Sequence, residues 1–444
     1  MQYVTDLHLH SKYSRAVSPQ MTLPVMAAYA RQKGLDVLTA ADFTHPVWFK
    51  EIQSQLVEAE EGLYKLKNED AELKPVRFML STELSSIYKQ GDKLRRIHNL
   101  LFVPSFVVAE KLTKALVSRG CNLNADGRPI VGISSEALLE LLLSIDERAF
   151  IIPCHIWTPH FGVYGSASGF DSLEEAYGKY AQYIYGIETG LSSDPDMNWQ
   201  IKELMHRSIL SFSDAHSAAK MSREATVMDL EKPTYENIRQ AIMHLSNKSQ
   251  TKNKIAYTLE FYPEEGKYHF SGHRNCKVSV GPDEIRTGGT TCPVCHKRLT
   301  EGVLYRVQEL SDASLLDRVQ TKENEAGVKW YTDKMHIQPP YVKLVPLLEI
   351  VAESLGSTVS SQKSKDLYSR LCKELDSELQ ILLHIPLSDI EKVGGMKIGQ
   401  GVAKVRQGSI AIEPGYDGEY GKVAIWKEGE INQMQDVPQL KLDF

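Results

Sequence analysis

Cysteine is scarce in this sequence, with six residues in 444. Three of them sit in one short cluster, which argues against a disulfide scaffold and fits a reducing cytoplasm. Long apolar runs are missing too. The best, Ala137 to Ile145, is too short to span a bilayer, so no membrane partner is expected. Nothing at the N-terminus reads as a signal peptide, because the chain starts directly on a strand pattern. No P-loop, dinucleotide-binding glycine motif or Gly-x-Ser-x-Gly elbow occurs, so nucleotide-driven and acyl-transfer chemistry lack their usual signatures. Positive charge is not in excess either: 51 Lys and Arg stand against 57 Asp and Glu, a net charge of −6. Nucleic-acid binders usually carry a basic domain. That argument is weak where acids hold divalent cations, each of which offsets two of them.

What is present is an ordinary globular composition, 42% hydrophobic and 24% charged, on a length that suggests about three domains. The first strand, Tyr3 to His10, alternates apolar and polar residues and puts His8 and His10 on one face. The same device recurs. A helix from Thr22 to Gly34 leads to a strand at Leu35–Ala40 that ends on Asp42 and His45. A long helical pattern covers Val47 to Lys67, and the strand Val76–Ser81 runs into Glu83. Ile97–Val103 carries His98, Ala149–Ile152 runs into His155, Ile184–Ile187 into Glu188, and Ser208–Phe212 into Asp214 and His216. Strands alternating with helices predict a parallel sheet or barrel, whose active site gathers at the C-terminal strand ends.

At Lys248–Lys254 the composition shifts to a polar, basic linker. A hairpin is expected over Ile255–Tyr262 and Lys267–Phe270, with the turn at Pro263–Gly266. Then come His273-x-x-Cys276 and Cys292-Pro-Val-Cys295, the spacing of a structural zinc site; His296 is a second choice for the nitrogen ligand. The last hundred residues read as mostly helical. Within them, Ile390 to Arg406 resembles half of a helix-hairpin-helix, whose glycine turn offers backbone N–H groups to a phosphate. A packing turn is the alternative; Lys392, Lys397, Lys404 and Arg406 favour phosphate contact. Pro414 to Gly421 reads as a turn-rich motif between short strands.

Histidines mixed with carboxylates around several divalent metals suit phosphate-ester hydrolysis, with an activated water and charge neutralisation during in-line displacement. Imidazole admits Zn²⁺ or Mn²⁺, and carboxylates add Mg²⁺.

The motifs Asp6-Leu-His8-Leu-His10, Thr82-Glu83, Pro153-Cys-His155 and Ser213-Asp214-Ala-His216 resemble the metal motifs of the PHP (polymerase and histidinol phosphatase) superfamily. The order of that region, the Gly-His-Arg-x-Cys…Cys-Pro-x-Cys segment and the Gly-Tyr-Asp-Gly-x-Tyr-Gly tail is similar to the endonuclease Q family. The resemblance implies an α/β fold: a distorted (β/α)7 PHP-type barrel (1–247), a small β-rich zinc-binding domain (248–335) and a mostly helical C-terminal domain (336–444). It implies His8, His10, Glu83, His98, His155, Asp214 and His216 as ligands of two or three barrel metals, with Glu83 bridging, besides the structural Zn²⁺. His8, His10, Glu83, Asp214 and His216 are the catalytic set. Ser14 and Asp42-Phe43 depart from the superfamily at two positions that serve a third metal, so Asp42 and His45 stand as second-tier ligands. Glu188 is either a residue that orients a ligand or a mouth acid.

The implied activity is metal-dependent DNA repair: hydrolysis of the phosphodiester 5′ to deaminated bases (hypoxanthine, uracil, xanthine) and abasic sites. Damaged DNA is then the partner, with a sliding clamp as an open further one. An extruded base needs a pocket. Trp157, Phe161, Tyr164 and Phe170, in the glycine-rich loop after His155, are the candidates; an ordinary packed loop is the alternative. Two other functions compete: a small-ester phosphatase, against which the zinc segment counts, and a non-catalytic DNA-binding scaffold, against which the ligand set counts.

Overall fold

The alternation at the N-terminus forms the strand Gln2–Asp6, which pairs parallel with Val37–Ala40 and antiparallel with Ala225–Asp229. The structure, a computed structural model, describes residues 1–247 and 251–427. Lys248, Ser249 and Gln250 of the expected linker lie outside them, as do residues 428–444. The helix Leu23–Lys33 has the expected ends, with Pro24 in its first turn and Gly34 at φ 94° closing it. A Cβ at Gly34 would meet Ser377 Oγ at 2.7 Å, so glycine is required there for space as well as for backbone.

The long helix expected over Val47–Lys67 is shorter. It spans Pro46–Gln55 and gives way to two antiparallel strands, Leu56–Glu60 and Leu63–Leu66. Gly62 turns between them at φ 69°, and Tyr64 pairs with Phe78 in the sheet, so strand pairing overrides the local helical pattern.

The fold is mixed α/β, with a 13-stranded sheet among the described residues. Its strands pair parallel at Gln2–Asp6, Val37–Ala40 and Arg77–Gln90, as the alternation predicts, and antiparallel at Ala225–Asp229 and Lys93–Val103 among others. Arg77–Gln90 and Lys93–Val103 are antiparallel because only Gly91 and Asp92 join them, and a two-residue connection permits nothing else. Lys93–Val103 is in turn antiparallel to Phe150–Pro153. Glu83 and His98 therefore sit inside long strands rather than at strand ends. Gly186–Glu188 and Ser208–Leu210 form a separate parallel pair. It is tied to the large sheet by Ile156 N donating to Glu188 O (3.2 Å) and by Thr226 Oγ1 donating to Ser211 O (3.0 Å).

The sheet continues past residue 248. Lys254–Glu260 pairs antiparallel with Ala225–Asp229 and parallel with Tyr341–Lys343, which leads on to Lys329–Asp333 and Val319–Glu323. The hairpin expected between Ile255–Tyr262 and Lys267–Phe270 does not form, because the first strand is paired on both edges by other strands. Phe270 bridges to Tyr416 instead. One apolar core runs from Leu9 to Trp426. Five helices, Leu347–Ser354, Gln362–Glu374, Glu378–Leu383, Leu387–Gly394 and Met396–Gln407, make up most of the C-terminal part. Buried Glu378 joins it to the first helix through Lys33 Nζ (2.9 Å). Among the described residues no helix is long and apolar enough to cross a membrane.

Candidate metal centre

Seven of the ten ligand candidates meet at one point. His8 and His10 follow the first strand and are fully buried. His10 Nε2 lies 3.1 Å from Glu83 Oε2 and 3.0 Å from Asp214 Oδ1, and His8 Nε2 lies 3.6 and 3.7 Å from the same two oxygens. His98 Nδ1 is 2.5 Å from Glu83 Oε1, and His155 Nε2 is 3.5 Å from it. His216 joins His10 and Asp214 in one ligand group. His8 Nε2, His10 Nε2 and Asp214 Oδ1 are buried and have no hydrogen-bond partner. Buried polar atoms are almost always partnered. Unpartnered nitrogens and oxygens turned on one another at such distances fit ligands around divalent cations.

The backbone is held out of its common regions there. Asp42, His155, Phe161 and Asp214 have φ of 58°, 28°, 76° and 46°, and strained residues of this kind cluster at functional sites.

The remaining acids hydrogen-bond the histidines from the side away from Glu83 and Asp214. Glu188 Oε1 accepts from His8 Nδ1 (2.8 Å) and its Oε2 from His155 N (2.8 Å). Asp42 Oδ2 accepts from Ser11 N (2.6 Å), Ser11 Oγ (2.7 Å) and Ser14 Oγ (2.8 Å), while Oδ1 accepts from His10 Nδ1 (3.2 Å). Asp42 thus meets His10 on Nδ1, the ring nitrogen turned away from Glu83 and Asp214. His45 is not in the cluster: it caps the helix Pro46–Gln55 and stacks on Tyr13 at 4.5 Å. Two groups the sequence did not flag are present. Cys154 is buried within reach of Glu83, His8 and Glu188, and Arg128 Nη1 donates to Glu83 Oε2 (3.3 Å). A Gly-Arg-Pro turn was the only sign of the latter.

Charge follows from these contacts. Burial raises the Glu83 carboxyl, but His98 and Arg128 outweigh it and hold it well below the usual carboxylate range. Asp214 is likewise lowered, His8 and His10 overcoming burial. Burial lowers His8 and His10, yet Glu188 with Asp214 for the first, and Asp42 with Asp214 for the second, lift both well above the ordinary imidazole value. At His98 burial wins over Glu83, to about 4.

A cavity of about 380 Å³ opens on the centre, lined by His98, His155, Asp214, Phe161 and Tyr268. Of the four aromatics expected to read a base, only Phe161 faces it, its ring 4.4 Å from His98. Trp157, Tyr164 and Phe170 are core: Trp157 Nε1 donates to Asn198 Oδ1 (2.8 Å), Tyr164 OH donates to Glu203 (2.5 Å), and Phe170 lies under Arg95 at 3.9 Å. The loop is closed by Tyr164 N to Ile156 O and Phe170 N to Val163 O. It leaves no room at Gly162, where a Cβ would lie 2.5 Å from Ile156 O.

His273, Cys276, Cys292 and Cys295 bring their ligand atoms within 4.8 Å of one another, which suits tetrahedral zinc. Asp417 of the Gly-Tyr-Asp-Gly turn clasps this module, accepting from Arg274 N (2.7 Å) and Thr300 Oγ1 (2.5 Å). In the C-terminal part Gly395 turns at φ 89° between two helices, with half-buried Lys397 just beyond. Lys404 Nζ lies 5.3 Å from the Trp426 ring. Arg406 does not reach solvent: it is 2% exposed and donates to the carbonyls of Leu382, Ala326, Ile381 and Ile385, so it holds helices together instead of a phosphate.

Residues 346–409 match the model of the MJ0043 C-terminal domain family. The chain is 29% identical over 275 residues to the uncharacterized protein MJ0043 of Methanocaldococcus jannaschii, a match that covers 60% of this chain and 31% of that protein's length. The chain is similar to the crystal structure of the lesion-specific endonuclease PfuEndoQ from Pyrococcus furiosus: TM-score 0.78, 29% identity, over 99% of this chain and 100% of that one. It is similar also to endonuclease Q in complex with a 27-mer duplex substrate with an abasic lesion at the active site: TM-score 0.79, 30% identity, over 96% and 98%.

Proposed function

This chain belongs to the endonuclease Q family, and on that premise we propose that it is a metal-dependent DNA repair endonuclease, hydrolysing the phosphodiester on the 5′ side of deaminated bases and abasic sites. The observation that carries the reading is the set of unpartnered, buried ligand atoms on His8, His10 and Asp214, the last of which lines a cavity of about 380 Å³ with His98 and His155. A small-ester phosphatase or a non-catalytic scaffold would not call for likeness to endonucleases over nearly the whole chain.

In this reading His8, His10, Glu83, His98, His155, Asp214 and His216 would hold two or three divalent cations, and His273, Cys276, Cys292 and Cys295 would hold zinc. Divalent cations held there supply an activated water at neutral pH and neutralise charge on the phosphate in flight. The protein does the rest. Glu188 keeps His8 with its proton on Nδ1, so Nε2 is offered as a ligand. Asp42 does the same for His10. Phe161, beside His98 at the cavity wall, gives an extruded base a face to stack on. Residues 1–247 act as the catalytic part. The zinc module and the glycine turn at Gly395, with Lys392 and Lys397 beside it, hold the duplex by its phosphates. Hypoxanthine, uracil, xanthine and abasic sites are the candidate lesions, and the cytoplasm the candidate compartment. A sliding clamp finds no support among the described residues or the relatives.

The test is direct. Labelled duplexes carrying each lesion are incubated with the protein, with and without EDTA, and the ends are mapped. A metal-dependent nick that leaves the damaged nucleotide at the 5′ end of the downstream fragment is expected. Release of free base, or a cut on the 3′ side, would refute the reading.

A further inference from the structure

Arg128 lies in the loop between the helix Phe106–Ser118 and the short strand Ile130–Val131. That loop is pinned on both flanks of the metal centre. On one flank Gly127 N donates to Tyr13 O (3.0 Å) and Arg15 N to Asp126 Oδ1 (3.2 Å). Gly127 packs so tightly that a Cβ would lie 2.2 Å from Ser14 Oγ and 2.6 Å from Asp42 Oδ2. On the other flank Ser85 N donates to Pro129 O (3.1 Å), and Ile130 and Val131 pair with Ser85 and Ser86, just past Glu83 on the same strand. The loop thus seals Asp42 from solvent and delivers one fixed cation to the centre.

Its guanidinium is committed on one nitrogen only. Nη1 donates to Glu83 Oε2 (3.3 Å). Nε and Nη2 donate to no protein atom among the described residues, although the side chain is only 25% exposed and lines the cavity beside Asp214. A structural arginine of this chain looks different: Arg406 donates to four carbonyls and Arg318 to Asp333 and the Trp199 carbonyl. An oriented guanidinium with an unused edge, facing the space a strand must enter, matches the planar two-point geometry of a phosphate.

We propose that Arg128 is a catalytic residue of this centre: its Nε/Nη2 edge binds a non-bridging oxygen of the scissile phosphate, while Glu83 fixes its orientation. Arg128 then neutralises charge that grows on the phosphate as the new P–O bond to water forms and the P–O bond to the 3′ oxygen breaks, the water giving up a proton to solvent and the 3′ oxygen taking one to leave as a hydroxyl. The inference rests on the endonuclease reading.

The test uses the full-length, metal-loaded protein. Arg128→Ala should cut a lesion duplex at saturation about 10²–10³-fold more slowly, the loss seen when one preorganised donor to a developing oxyanion is removed. Its metal content per chain and its melting temperature should match wild type. Guanidinium ion added to this variant should restore part of the rate, which a merely structural arginine would not allow. Arg128→Lys, which keeps the charge but not the planar edge, should fall between the two and serves if the alanine variant is unstable. A wild-type rate in Arg128→Ala, or a rate loss that follows loss of metal from the His8–Glu83–Asp214 centre and ignores guanidinium, overturns the role of Arg128 alone. A wild-type protein that leaves every lesion duplex intact overturns the endonuclease reading and this role with it.

Discussion

Replacing Glu188 by glutamine separates orienting a metal ligand from being one. The carboxylate is fully buried and is used on both oxygens, by His8 Nδ1 and by His155 N, each at 2.8 Å. Both partners are N–H donors. An amide keeps one acceptor and turns its own donors on the other partner, so one hydrogen bond to a charged group is lost and a donor faces a donor. Such a bond is worth about 1.5–3 kcal/mol, which at about 1.4 kcal/mol per decade is roughly 10–100-fold in affinity. Affinity for divalent cation at His8 and His10 should drop by that amount, and cleavage lost at limiting metal should return when metal is raised. The pH dependence has a definite sign. Burial lowers His8, but Glu188 and Asp214 together lift it well above its ordinary value, so wild-type metal affinity weakens as pH falls and His8 takes its proton. Glu188→Gln removes part of that lift, so the gap between variant and wild type should narrow toward low pH. Competition against a chromophoric chelator across pH measures this, with the zinc module as an internal reference. Unchanged barrel affinity, or a gap that widens at low pH, would refute the argument.

Asp214→Asn should keep the fold and lesion-duplex binding but abolish cleavage, because an amide is a far poorer ligand for a divalent cation than the carboxylate 3.0 Å from His10 Nε2; a gel shift with end-mapping checks both halves. Structural zinc is worth on the order of 10–16 kcal/mol in small modules. Cys292→Ser should therefore lose its zinc and loosen Ser271–Thr300 together with Tyr416 and Asp417, while the central sheet keeps its hydrogen-exchange protection. Glu260, fully buried beneath Ser211 and Thr258, has its carboxyl pushed up by burial to about 7. The folded protein holds that proton where the unfolded chain has released it, so stability falls as pH rises from about 4.5 to 7, at a full cost of about 3 kcal/mol. Glu260→Gln should melt higher than wild type at pH 8 and no higher at pH 5; equal melting temperatures at pH 8 would exclude the buried proton.

Much of the centre was legible because its signal is local. His8-x-His10 puts two candidate ligands on one side of a strand exit by period, and Asp214-x-His216 and Cys292-x-x-Cys295 pair candidate ligands within three or four residues. Roles that depend on who sits opposite were not legible. By sequence Asp42 stands as a second-tier ligand and Glu188 as an orienting residue or a mouth acid; the fold sets Glu188 on His8 Nδ1 and His155 N, and Asp42 on Ser11, Ser14 and His10 Nδ1. Phe161 and Tyr164 read alike in a glycine-rich loop; one lines the cavity and the other is buried against Glu203.

By itself, then, the sequence determined which chemistry is available: imidazoles, carboxylates and thiolates at spacings that suit metal ligation, in an α/β chain. Tertiary structure decided the rest. It turned the expected parallel sheet into a mixed one through the two-residue Gly91-Asp92 turn, and paired Lys254–Glu260 into the central sheet instead of a hairpin. It buried Arg406 under four carbonyls and left Arg128 with an open edge beside Glu83. Two arginines look the same in one dimension. Whether a guanidinium is spent on backbone or offered to a substrate depends on acceptors and solvent brought near it from distant parts of the chain, and that contact set exists only once the chain is folded.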